Sequence, residues 1–73
     1  MAVRIDGGRV RTLRGAQVMS RSELVQTSGL HYNTIAKIET GCKRTVSEET
    51  MHKIAYALGV DATDLLEVEL LAG

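Results

Sequence analysis

The chain has no proline, no tryptophan and no phenylalanine, and tyrosine occurs only twice. A core without those aromatics must be Leu, Ile, Val, Met and Ala, which suits helix packed on helix. Cys42 is the only cysteine, so no internal disulfide can form. Two histidines and one cysteine, none at ligand spacing, make a poor metal set, and no metal or other cofactor is expected. No apolar run approaches the ~20 residues that span a bilayer. No basic start, apolar stretch and cleavage site opens the chain as a signal peptide would. Ser20, Ser22, Ser28 and Ser47 fall at helix caps and in loops, so nothing assembles a catalytic constellation and no enzyme is expected. These absences predict a reduced, cytoplasmic setting and no membrane partner.

What is present is a charge split. The 73 residues carry no net charge. Up to Arg44, however, eight basic residues face three acidic ones, a net +5. From Thr45 onward one lysine faces six acids, a net −5. A neutral chain divided in this way is a dipole. Its first half can face phosphates, while its second half stays away from them or meets a protein partner.

Residues 1–73 read as one small domain, without repeats or linkers, whose stability should be a few kcal/mol. In residues 1–8, Val3 and Ile5 alternate with Arg4 and Asp6, as in a short strand or an ordered arm, and Gly7-Gly8 breaks the pattern. A first helix is expected from Gly8 or Arg9 to Gln17, with Val10 and Leu13 inward. Ser20-Arg21-Ser22-Glu23 has the form of a capping box. It starts a second helix that turns Leu24 and Val25 to the core and stops at Gly29. A third helix, His31 or Tyr32 to Thr40, buries Ile35 and Ile38 on the side of Leu30. Its opposite face carries Tyr32, Asn33 and Lys37 and no acid. Two helices joined by a short turn containing glycine form a helix-turn-helix. Residues 40–46 read as a basic loop. Ser47 caps a fourth helix whose inner stripe is Met51, Ile54, Ala55 and Leu58. Asp61 caps a short fifth helix, and Leu65 and Leu66 close the core. The expected architecture is all-α, compact and five-helix.

Four pieces carry a resemblance: V-R-x-L-R at 10–14, S-x-x-E-L at 20–24, G-L-x-x-x-T-I-x-x-I-E-x-G at 29–41, and S-x-E-T-M-x-K-I-A-x-A-L-G-V at 47–60. In this order and spacing they resemble the lambda-repressor-like, Cro/C1-type (XRE-family) helix-turn-helix DNA-binding domains. The resemblance implies a bacterial or phage-encoded transcriptional regulator, most simply a repressor, whose partner is double-stranded DNA. It makes helix 31–40 the major-groove reader, with Tyr32, Asn33 and Lys37 toward the bases. Asn suits a bidentate contact to adenine, and Lys suits guanine acceptors or phosphate. Arg21, Thr34, Lys43 and Arg44 would contact the DNA backbone, which positions the protein without reading sequence. Arg14 and Glu39 match a structural ion pair joining helices one and three.

The chain departs from the family pattern at four positions. His31 stands where Ser or Thr usually caps the recognition helix. Val18 replaces a common glycine before the second helix, and Val25 the usual alanine at a tight helix crossing. Val46 stands where proline is usual. Val3, Ile5 and the apolar tail 67–73 have two readings: they cover the core of one subunit, or they join two subunits, with Val3–Ile5 and Leu66–Leu70 paired as strands. A homodimer on a palindromic operator is expected. The alternative function is an antitoxin or protein-interaction module of the same fold, with its partner on the acidic second half.

Overall fold

A computed structural model describes residues 2–67 of the chain. Four α-helices, α1 (Gly7–Ala16), α2 (Arg21–Ser28), α3 (Tyr32–Thr40) and α4 (Glu48–Leu58), surround one apolar core. Two short strands, β1 (Ala2–Arg4) and β2 (Thr45–Ser47), and a 3₁₀ turn over Ala62–Leu65 complete the described elements. The side chains of Ile5, Val10, Leu24, Ile35, Ile38, Ile54 and Leu65 are fully buried.

The five-helix, all-α expectation is corrected in two places. First, β1 and β2 pair antiparallel, with Val3 opposite Val46. Branched side chains fit a pleated strand, and Val46 is buried. Thr45 and Val46 therefore belong to a strand and not to the basic loop. Second, the fifth helix is a single 3₁₀ turn. At Leu66 the backbone is already extended (φ −68°, ψ 134°), and it bridges Ile5. Asp6 N donates to Leu65 O at 2.7 Å, and Glu67 N donates to Arg4 O at 3.1 Å. Those bonds to the N-terminal segment take the groups that a longer helix would need. Leu66, expected in the core, is consequently 37% exposed. The Ile5–Leu66 bridge lies within one subunit; the tail beyond Glu67, with Val68, Leu70 and Leu71, falls outside the described residues.

Local signals set the helix ends. Asp6 accepts from Arg9 N at 3.0 Å, so α1 begins at Gly7, ahead of the expected start. At α2 the Ser20 hydroxyl accepts from Glu23 N at 3.1 Å, and the Glu23 carboxylate accepts from Ser20 N at 3.0 Å. This reciprocal pair satisfies two backbone donors that the first turn leaves open. Ser47 accepts from Thr50 N at 3.1 Å and starts α4. Met51, Ile54, Ala55 and Leu58 then form its buried stripe.

Val18 carries an unusual backbone. It sits between α1 and α2 at φ 52°, the only non-glycine with positive φ among the described residues. It lies in the turn and away from the helix crossing, while Val25 packs half-buried against the core. The left-handed region costs an L residue roughly 1–2 kcal/mol, and a branched one suffers most. The side chain is 89% exposed, so no packing offsets that cost. Val18→Gly should stabilise the domain by about 1 kcal/mol, after the entropy that glycine adds to the unfolded chain. Urea denaturation would read this as a raised midpoint. An unchanged or lowered midpoint would mean that the turn is not strained at Val18.

Candidate nucleic-acid interface

The interface is built on the α2–turn–α3 unit. Gly29 ends α2 in the left-handed conformation (φ 74°), and its N–H donates to Val25 O at 2.9 Å. Without a Cβ it turns the chain at no steric cost. Leu30 N then donates to the Ser28 hydroxyl at 3.3 Å, which steadies the turn. His31 occupies the cap position of α3 in extended geometry, but its side chain makes no cap bond. A Ser or Thr there would accept from the first turn of α3; this imidazole does not.

α3 buries Ile35, Ile38 and Glu39 on one side. Tyr32, Asn33 and Lys37 are exposed, and Thr34 is half-buried. The loop after α3 presents Lys43 and Arg44, both exposed. Three bonds shape it. Lys43 N donates to Lys37 O at 3.0 Å, Ile5 N donates to Arg44 O at 2.9 Å, and the Arg44 Nε donates to Gly41 O at 3.4 Å. The basic loop is thereby tied both to α3 and to the N-terminal segment.

Behind α3 lies an ionic cluster. The Glu39 carboxylate has no exposure to solvent. Arg14 reaches it in fork geometry, with Nε at 2.8 Å from Oε2 and Nη2 at 3.0 Å from Oε1, and joins α1 to α3. Its Nη1 also donates to Met19 O at 2.9 Å. Arg21, at the start of α2, adds Nε at 3.3 Å and Nη2 at 3.1 Å on the same Oε1. Its guanidinium carbon lies 5.6 Å from the centre of the Tyr32 ring. The neighbouring Tyr32 side chain and then the Glu39 carboxylate raise the Arg21 guanidinium above its ordinary value, so it stays charged at any working pH.

The structure therefore brings Arg14, Arg21, Tyr32 and Glu39 together and leaves Asn33, Lys37, Lys43 and Arg44 open to solvent. Sequence reasoning missed the Arg21–Glu39 pair. The two residues are on different helices, and no local pattern signals such a pairing. Among the described residues, no group of His, Cys, Asp and Glu could hold a metal ion, and no helix is long and apolar enough to cross a membrane.

An exposed helix face with Asn and Lys, flanked by cations, can hydrogen-bond base edges and pair with phosphates. Comparison with known proteins agrees with that chemistry. The restriction-modification controller protein C.AhdI from Aeromonas hydrophila is 33% identical; the match covers 82% of this chain and 89% of that one, with a TM-score of 0.76. The clp gene regulator ClgR from C. glutamicum is 28% identical over 80% of this chain and 74% of that one, with a TM-score of 0.71. The N-terminal DNA binding domain of SinR from Bacillus subtilis is 25% identical over 88% and 93%, with a TM-score of 0.79. No curated protein matches the chain. The family model of the Cro/C1-type helix-turn-helix DNA-binding domain matches residues 9–70, and the chain belongs to that family.

Proposed function

We propose that the protein is a sequence-specific, double-stranded-DNA-binding transcriptional regulator that represses by occluding a promoter. The observation that carries this reading is the outward face of α3: Tyr32, Asn33 and Lys37 exposed, with Lys43 and Arg44 exposed beside them. In this reading α3 lies in the major groove. Asn33 pairs with an adenine edge, and Lys37 takes guanine acceptors or a phosphate. Thr34, Lys43, Arg44 and the outer edge of Arg21 hold the DNA backbone. Two subunits, with recognition helices about 34 Å apart, meet successive major grooves of a palindromic site.

The test is selection from a random duplex library, followed by titration of the enriched site at several salt concentrations. An enriched palindrome is expected. Asn33→Ala should cost about 1–3 kcal/mol and relax preference at one base position of each half-site. Lys43→Ala should instead weaken all sequences alike and lower the slope of log K against log salt by about 1 per subunit. Steep salt dependence without an enriched sequence would leave a phosphate-binding surface alone. No binding at low salt would overturn the reading and direct attention to a protein partner.

A further inference from the structure

Arg21 is committed inside the protein before any DNA arrives. Two of its donors converge on one oxygen of the buried Glu39 carboxylate. Arg14, itself anchored on Met19 O, holds both oxygens of that carboxylate. A planar guanidinium with two donors so engaged has little freedom to rotate. The Arg21 guanidinium carbon is held 5.6 Å from the centre of the Tyr32 ring, within the ~6 Å at which a cation attracts an aromatic face. Tyr32 is 49% exposed and is the first residue of α3. A half-exposed tyrosine without such a restraint would exchange rotamers on the surface that DNA must approach.

We infer that Arg21 is a positioning residue for base recognition: through Glu39 it holds the Tyr32 ring in the orientation in which α3 presents it. This rests on the DNA-reading role proposed above for α3. The distinction from a plain phosphate contact is measurable. A phosphate contact acts on every sequence alike. An orienting contact changes preference where the oriented side chain reads and nowhere else.

The experiment compares wild type, Arg21→Gln, Arg21→Lys, Tyr32→Ala and the double variant Arg21→Gln/Tyr32→Ala. Each is titrated against the enriched site and its single-base variants at one salt concentration. Arg21→Gln should lower discrimination roughly two- to five-fold at the position where Tyr32→Ala lowers it, and should add little in the double variant. Arg21→Lys keeps the charge but not the two-donor grip on Glu39, and should lose the same preference. Because the outer edge of Arg21 also meets the backbone in the proposed reading, Arg21→Gln carries some even loss as well. An even loss with no extra loss at the Tyr32 position would overturn the inference and leave Arg21 a backbone contact alone. Failure of wild type to enrich any sequence would overturn the DNA-reading role itself, and this inference with it. A measurement on the free wild-type protein stands apart from DNA and from the folding of any variant. Nuclear Overhauser contacts between the Arg21 side-chain protons and the Tyr32 ring protons should be present. Their absence would overturn the contact.

Discussion

Glu39→Gln should lower the stability of the domain by about 3 kcal/mol, enough to reduce its melting temperature by roughly 12–24 °C at this size. The carboxylate has no exposure and accepts from two arginines. Glutamine keeps the volume but removes the charge, and it puts an N–H₂ where an acceptor stood. Two guanidiniums would then face each other without a counter-charge. Losing one partner of a buried ion pair costs about 3–5 kcal/mol. The lower end applies because the Arg14 and Arg21 side chains retain 17% and 29% exposure and can draw on water. Domains of this size hold only about 4–11 kcal/mol in total. Glu39→Gln would therefore lose function by unfolding at temperatures where the wild type is still folded, although Glu39 is buried behind the exposed face of α3. Thermal melts by circular dichroism check the prediction. A drop of less than about 5 °C would mean that the cluster orders the helices without stabilising them.

The second large effect is at Gly7, the first residue of α1. A Cβ placed there would fall inside the van der Waals surface of the Ile38 carbonyl oxygen, and 2.8 Å from the carbonyl carbon. This is backbone on α3, which cannot swing aside as a side chain can. Gly7→Ala must push α1 away from α3 and should cost about 3 kcal/mol. Gly15 is the internal control. It lies in the same helix, and a Cβ there meets nothing within 4 Å. Gly15→Ala should stabilise by roughly 0.5–1 kcal/mol through helix propensity. Urea denaturation of the two variants should move the midpoint in opposite directions. If both rise, the close approach of α1 to α3 is absent in solution.

These two sites show where sequence reasoning ended. The capping box at Ser20 and Glu23, the glycine turn at Gly29 and the apolar stripes of α3 and α4 were legible because each signal is local. They depend on spacings of three or four residues or on a single backbone conformation. The β1–β2 pair was half legible. Val3 and Ile5 alternate visibly, but their partner lies more than forty residues away in T-V-S, which reads as loop until something pairs with it. The cap at Asp6 was hidden because Gly7-Gly8 reads as a break, although an Asp ahead of two glycines can equally start a helix. The exposed face of α3 followed directly from the positions of Ile35 and Ile38. The Arg21–Glu39 pair did not. The resemblance assigned Arg21 to phosphate, and only the packing of α2 on α3 brings it to a carboxylate already held by Arg14.

The route of the first residues through the molecule bears on how it is made. Residues 2–6 lie between two later segments, bonded to Arg44 and β2 on one side and to residues 65–67 on the other. On the ribosome the three N-terminal helices can form from near neighbours as they emerge. The opening strand finds its first partner only after β2 has cleared the exit tunnel. It waits about 1–4 s more, at ordinary elongation rates, for Leu65–Glu67. Until then the bond from Ile5 to the Arg44 carbonyl holds the segment from one side alone. A nascent chain stalled before Leu65 would hold its N-terminal segment bonded on one side only, so the support under the loop that carries Lys43 and Arg44 is complete only once residues 65–67 have been made.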